Sequence, residues 1–130
     1  MNDTMDSLRE KRAWSIVKRA QSFTHAFRGL RLFFMTTPNA WIHIFAVVVV
    51  VIAGFYFEVS SFEWLALVLA IGLVFTAEAF NTAIEIDINL TSPEYHPYAR
   101  DTKDVAAGAV FLAALISVIV GLIVFIPKIL

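Results

Sequence analysis

A single apolar run decides the fold of this chain: VAAGAVFLAALISVIVGLIVFI, residues 105–126. The run contains no charged side chain. A helix needs ~20 apolar residues, at a rise of 1.5 Å each, to cross the ~30 Å hydrocarbon core of a bilayer. A helix in a soluble bundle would instead need a polar face to meet water, and this run has none. The sequence therefore predicts a transmembrane helix at 105–126.

Two more apolar stretches precede this run, at 41–57 and 62–90, and the second becomes polar in its later half. Hydrophobic residues make up 59% of the 130 residues and charged residues 16%, whereas soluble domains are ~45–50% apolar and ~25% charged. We therefore expect an all-α membrane protein with three transmembrane helices, forming one domain over residues 1–130. The chain has no cysteine, which excludes disulfides and thiolate metal sites.

Residues 1–38 carry the pattern of an amphipathic helix that lies on the membrane surface. Apolar residues recur there at spacings of three and four, as on one stripe of a helix: Ile16, Ala20, Phe23, Phe27, Leu30 and Phe34. Basic side chains between them would face anionic headgroups. Such an arm could serve as an anchor only, or its cations could also meet a phosphate-bearing ligand. The sequence Thr36-Thr37-Pro38-Asn39 predicts a break after it.

The distribution of basic residues predicts the orientation. Seven of the ten Lys and Arg residues lie in the first 31 positions. The link between the first two spans holds Glu58 and Glu63 without a basic residue, whereas the next link holds Arg100 and Lys103. Lys and Arg in short loops stay cytoplasmic. We therefore expect the N-terminus and the 91–104 loop in the cytoplasm and the C-terminus outside, with Lys128 on the less usual side.

Four polar residues fall on one face of the second span: Glu78, Asn81, Glu85 and Asn89. Glu78 and Glu85 are two turns apart, ~10.5 Å along the axis, which favours two separate roles over a shared proton or ion. Ionisable groups in a membrane helix are costly and usually functional. The alternatives are hydrogen bonding between helices, or a position for Glu85 in the headgroup zone.

The 91–104 loop concentrates both signs of charge beside the end of that helix. Carboxylates and water suit Mg²⁺, which is often shared with substrate phosphates, and Arg100 and Lys103 could neutralise phosphate oxygens. The combination indicates phosphoryl transfer, although a cation transporter would also place carboxylates on an inner helix. Asp104 would suit the N-terminus of a helix starting at 105. No P-loop or Gly-x-Gly-x-x-Gly motif occurs, and no nucleic-acid partner is expected.

Three segments resemble the bacterial diacylglycerol kinase family: EAFNTAIE at 78–85, SPEYHP at 92–97 and KDVAAGA at 103–109. The middle segment, with Asn39 and His43, is more similar to the undecaprenol kinase branch. The resemblance implies a homotrimer of three-span subunits, each with an amphipathic surface helix. It also implies phosphorylation of a bilayer lipid alcohol by MgATP, at the cytoplasmic face of the bacterial inner membrane.

The resemblance also implies roles for single residues. Glu78 matches the catalytic base, Asn81 its neighbour in the catalytic site, and Glu85 a carboxylate that binds the metal accompanying ATP. The positions that match nucleotide-binding residues are Lys18, Glu85, Glu94, His96, Lys103 and Asp104.

The sequence departs from the family pattern at two positions. Thr37 stands where the family has a second metal-binding Glu, and Asn89 where an Asp is common. Both changes predict a higher Mg²⁺ requirement. At Thr37 a hydroxyl is a poorer ligand for a hard cation than a carboxylate, and at Asn89 a negative charge near the same face is missing. Three alternatives to an undecaprenol kinase follow: a diacylglycerol kinase, an inactive membrane subunit of the same fold, and a carboxylate-lined ion carrier.

Overall fold

A computed structural model describes the backbone of residues 2–130 and the side chains of residues 18, 19 and 21–130. The backbone it describes is helical and contains no strand: α1 Asn2–Thr36, α2 Pro38–Tyr56, α3 Ser61–Thr91 and α4 Pro97–Ile129. The last three helices are long and apolar enough to cross a membrane. The prediction of an all-α chain with three such helices is confirmed.

The chain divides into two compact units, residues 1–36 and residues 37–130. The first unit is α1, on which Phe23, Phe27 and Leu30 of the predicted apolar stripe are exposed. Ile16 and Ala20 lie outside the described side chains. Placement of α1 at a membrane interface stays a prediction.

The break predicted at 36–39 is confined to one residue, Thr37, which is extended (φ −107°, ψ 99°) and caps α2. Pro38 is the first residue of α2, where its missing N–H costs nothing because that group has no helical partner. Helix α2 therefore starts three residues before the predicted 41, and it ends at Tyr56, one residue before the predicted 57.

A capping box starts α3, which runs one residue further at each end than the predicted 62–90. The Ser60 hydroxyl accepts a hydrogen bond from the Glu63 N–H at 3.4 Å, and Glu63 Oε2 accepts one from the Ser60 N–H at 2.8 Å. The same carboxylate oxygen lies 3.1 Å from Lys128 Nζ near the end of α4. Lys128, which the predicted topology places outside the cytoplasm, is thus paired with Glu63.

Helix α4 begins at Pro97, eight residues before the predicted 105, and ends at Ile129, three residues after the predicted 126. His96 caps it, and its ring nitrogen Nδ1 accepts a hydrogen bond from the Tyr98 N–H at 3.3 Å. Residues 97–104, which we expected to belong to the 91–104 loop, are therefore helical. Asp104 lies two turns inside α4, so the expectation that it stands at the helix N-terminus is corrected.

Helices α3 and α4 pack side by side in opposite directions. The Ser117 hydroxyl of α4 donates to the Ala70 carbonyl of α3 at 2.9 Å, and the small side chains of Ala106 and Ala113 are buried. Helix α2 approaches α3 most closely at Gly54, where an added Cβ would lie 2.4 Å from Trp64 Cη2. Only glycine allows this approach without displacing the indole ring.

Candidate active site

Glu78, in the middle of α3, is the most deeply buried large polar side chain of the described part of the chain, at 1% exposure. Its Oε2 atom has no hydrogen-bond partner among the described residues. Buried polar atoms in proteins are nearly always paired, so an unpaired one calls for an explanation such as a catalytic role or a missing ligand. The carboxyl group is therefore positioned to bind something that the chain itself does not supply.

The packing of α2 on α3 explains why Glu78 is buried. The Thr37 hydroxyl lies 2.8 Å from the Thr82 hydroxyl, and the His43 ring centroid lies 6.0 Å from that of Phe75. Between these two contacts, six steps along residues 37–43 run alongside seven steps along residues 75–82 of α3, in the opposite direction. This register places Ala40, which is 0% exposed, opposite Glu78.

A chain of two hydroxyl groups fixes the start of α2 against the turn that holds Glu78. The Thr82 hydroxyl donates its one hydrogen to the Glu78 carbonyl at 3.0 Å, so the Thr37 hydroxyl donates to Thr82. Thr37 is buried at 7% exposure. Thr37, where the family resemblance implies a metal ligand, thus lies beside Thr82, which is one turn of α3 from Glu78. Its hydroxyl is already used in the hydrogen bond to Thr82.

The polar face of α3 changes from buried to exposed towards its C-terminal end. Asn81 is 8% exposed and its Oδ1 atom has no partner among the described residues. Its amide nitrogen donates to Glu85 Oε1 at 3.2 Å. Glu85 and Asn89 are exposed. The face therefore leads from a dry carboxyl group to one that water can reach.

Lys103 joins the far end of this face to α4, because its Nζ atom donates to Asn89 Oδ1 at 2.6 Å. Both residues line a cavity of about 250 Å³ between the helix ends and the loop that connects them. The residues of its lining are Ile88, Asn89, Ser92, Pro93, Glu94, Tyr95, His96, Ala99, Arg100 and Lys103. Three predicted nucleotide-binding residues, Glu94, His96 and Lys103, thus meet at one cavity.

The other predicted nucleotide-binding residues lie elsewhere. Asp104 is exposed, does not line this cavity, and its Oδ2 atom lies 3.9 Å from Arg100 Nε. Lys18 is exposed on α1, in the first unit. Roles for both in nucleotide binding stay predictions.

The side chains suit Mg²⁺ only if the ion arrives with other ligands. No cluster of three His, Asp or Glu residues that could hold a metal occurs among the described residues. Glu78 Oε2 and Asn81 Oδ1 are unpaired oxygens and Glu85 is exposed, and oxygen is the atom that Mg²⁺ prefers. Mg²⁺ usually keeps several waters and shares one or two carboxylates with substrate phosphates. The donor set therefore fits an ion carried by a nucleotide.

Sequence reasoning did not place Thr82 or His43 at this site, and it predicted Arg100 and Lys103 as phosphate-neutralising residues of a loop, whereas both lie in α4. Thr82 follows Glu78 by four residues, a spacing at which Thr commonly bonds the carbonyl one turn back. Arg100 and Lys103 share a helix face only if α4 begins before residue 100, and the sequence prediction began it at 105. No periodicity points to His43.

Comparison with known proteins identifies the family of this chain. The family model described as prokaryotic diacylglycerol kinase matches residues 24–125. The undecaprenol kinase of Bacillus subtilis is 44% identical over 108 residues, covering 83% of this chain and 88% of that protein. A diacylglycerol kinase of Synechocystis is 38% identical over 122 residues, covering 92% of this chain and 70% of that protein. The Escherichia coli K12 diacylglycerol kinase is 26% identical over 95 residues.

The matched range contains α2, α3, the cavity and most of α4, and it therefore includes the buried carboxyl group and the Lys103–Asn89 contact. The chain belongs to the prokaryotic diacylglycerol kinase family.

Proposed function

We propose that this protein is an ATP-dependent lipid kinase that phosphorylates undecaprenol, giving undecaprenyl phosphate and ADP. One observation carries the proposal: Glu78 is almost fully buried among apolar helices, yet one of its carboxyl oxygens has no partner in the described part of the chain. A base placed there meets a hydroxyl group that arrives from the bilayer, as a lipid alcohol does.

In the proposed reaction, the unpaired Glu78 oxygen accepts the hydroxyl proton of the lipid. The hydroxyl oxygen then forms its bond to the γ-phosphorus of ATP, and the bond from that phosphorus to the bridging oxygen of ADP breaks. Positioned general bases contribute ~10²–10⁴-fold to such reactions. Burial of the carboxyl group excludes water from it and would so protect the γ-phosphate from hydrolysis.

The polar face of α3 connects this base to the cavity that we assign to the nucleotide. Lys103 would neutralise phosphate oxygens there, since charge stabilisation provides most of the catalysis in phosphoryl transfer. Asn81 holds the Glu85 carboxylate at 3.2 Å, and its Oδ1 is a second buried oxygen without a partner among the described residues. Glu85 would hold the Mg²⁺ that accompanies ATP, and this ion would supply charge neutralisation on the phosphates.

We assign supporting roles to the remaining predicted residues. Glu94 and His96 line the cavity and would contact the nucleotide. Asp104, beside Arg100, and Lys18 on α1 would complete its binding. We further propose a homotrimer in the bacterial inner membrane, with the N-terminus in the cytoplasm and the C-terminus outside, as the charge distribution and the family resemblance predict.

Diacylglycerol is the second candidate acceptor, because the Synechocystis relative that is 38% identical carries the name diacylglycerol kinase. Undecaprenol ranks first because the Bacillus subtilis undecaprenol kinase is 44% identical over most of both chains. An inactive subunit finds support only in Thr37 and Asn89. Thr37 bonds Thr82, and Asn89 accepts a hydrogen bond from Lys103. Both residues thus have structural roles, and the chain retains Glu78, Glu85 and Lys103.

The test measures transfer of labelled γ-phosphate from MgATP by the purified protein in mixed micelles, with undecaprenol and diacylglycerol offered separately. Glu78→Gln and Glu85→Gln should abolish transfer, while Glu63→Gln, at the other end of α3, should leave it unchanged. Preference between the two lipids identifies the acceptor. No transfer to either lipid at any Mg²⁺ concentration would refute the proposal in favour of an inactive subunit.

A further inference from the structure

His43 is a half-buried polar residue that the proposed reaction does not use. It lies on α2 one turn after Ala40, and its ring makes an edge contact with Phe75, at 6.0 Å between centroids. Its Nε2 atom is buried and has no hydrogen-bond partner among the described residues. An imidazole nitrogen inside apolar helices is costly unless a partner is supplied.

The partner must enter through a second cavity, which lies between α2, α3 and α4 and has a volume of about 280 Å³. Its lining is apolar except for two side chains, His43 and Ser117. The Ser117 hydroxyl already contacts the carbonyls of Ala70 and Ala113, each at 2.9 Å. His43 therefore contributes the one unpaired side-chain polar atom in the described lining.

The lining of this cavity ends on α3 one turn before the proposed base, at Phe75. Phe75, which contacts His43, precedes Glu78 by one turn of α3, and Ala40, opposite Glu78, precedes His43 by one turn of α2. The residues that carry the unpaired atoms, His43 (Nε2) and Glu78 (Oε2), thus lie on successive turns of the packed helices α2 and α3. A ligand with a hydrogen-bonding head and an apolar chain would satisfy both atoms and also fill the cavity.

We propose that His43 is a positioning residue for the lipid alcohol. Its Nε2–H donates a hydrogen bond to the hydroxyl oxygen, while Glu78 accepts the hydroxyl proton and the first carbons of the chain occupy the cavity. An ordinary acyl chain would leave Nε2 unpaired, and a helix of a second copy would bring backbone groups already bonded within that helix. The inference rests on the proposed function for the identity of its ligand, and it can be tested without catalysis.

The test compares binding of farnesol with binding of farnesene, a hydrocarbon of similar shape without the hydroxyl group, in the absence of ATP. Competition against tritiated farnesol on the full-length protein in micelles gives the preference of each variant for the alcohol. His43→Ala should reduce that preference about three- to tenfold, the usual effect of one hydrogen bond. His43→Gln, which keeps an N–H donor, should restore part of it. Glu63→Gln, at the other end of α3 and outside the cavity lining, is the control and should bind like the wild type.

Kinetics provide the second readout. His43→Ala should raise the KM for the lipid by a similar factor and leave kcat and the KM for ATP unchanged, because the bond is present in the bound substrate and the transition state alike. A wild-type preference for farnesol in His43→Ala would overturn this inference. Loss of that preference in a protein that phosphorylates no lipid would refute the proposed function and leave the binding role of His43 supported.

Discussion

The two ends of α3 carry the same residue in opposite circumstances. Glu63, at the start of the helix, accepts hydrogen bonds from the Ser60 backbone N–H and hydroxyl, each at 2.8 Å, and pairs with Lys128. Glu78 is more deeply buried, and one of its oxygens has no partner among the described residues. A carboxylate with every bond satisfied stabilises a fold, whereas one held without a partner is available for a ligand.

The largest contrast should come from Glu78→Gln. This change removes the proposed base while keeping the shape of the side chain, so kcat should fall about 10²–10⁴-fold. The Tm in detergent should not fall, because the side chain has no partner on Oε2 to lose. Steady-state assays and thermal unfolding of the same preparation test this. A large loss of Tm would mean that Glu78 is structural, and the contrast with Glu63 would then fail.

Lys103→Met tests whether the exposed end of the polar face binds phosphate. Loss of a charge-assisted contact worth ~1.5–3 kcal/mol should reduce kcat/KM for ATP about ten- to hundredfold, with the KM for the lipid unchanged. Lys128→Met removes a cation from the opposite end of the same helix and serves as the control. Equal effects of the two changes would show that Lys103 acts through stability alone.

Thr37→Glu should lower the Mg²⁺ concentration for half-maximal rate by a few-fold, because it adds a hard oxygen ligand one turn from Glu78. Thr37→Gln is the matched variant, since both changes break the 2.8 Å bond to Thr82 and only Glu adds a charge. Titration of the rate with Mg²⁺ separates them. Identical Mg²⁺ curves for Glu and Gln would show that residue 37 does not contact the metal.

The smallest effect is expected at Glu63. Glu63→Gln and Lys128→Gln should each lower the Tm by a few degrees at most, because a partly exposed ion pair is screened by solvent and contributes little. The double variant should be no less stable than the worse of the two single variants, and kcat should be unchanged in all three. A loss of activity in any of them would contradict the separation of roles between the two ends of α3.

Hydropathy predicted the three long helices but not where they begin. It records where apolar residues stop, whereas a helix ends where its backbone is capped. Pro97 after the His96 cap starts helix α4 eight residues before the apolar run from which hydropathy would begin it. The same holds for Thr37 and Pro38 at the start of α2.

Helical spacing predicted which residues of α3 share a face, but not how deeply each one lies. Period alone treats Glu78 and Glu85 alike, yet one is 1% exposed and the other is open to water. The difference depends on how other parts of the chain pack against α3, as the Thr37 hydroxyl does at Thr82. The bond between Lys103 and Asn89 likewise depends on the turn at residues 92–96, which no single-helix pattern describes.

The unbroken length of α3 and α4 has a consequence for the choice of membrane. At 31 and 33 residues they measure about 46 and 50 Å, well beyond a hydrocarbon core of ~30 Å. Helices too long for a bilayer tilt, and the tilt grows as the bilayer thins. Since Lys103 and Asn89 lie on these two helices and are bonded to each other, they would tilt together. The protein should therefore tolerate bilayers of different acyl-chain length with the Lys103–Asn89 contact intact.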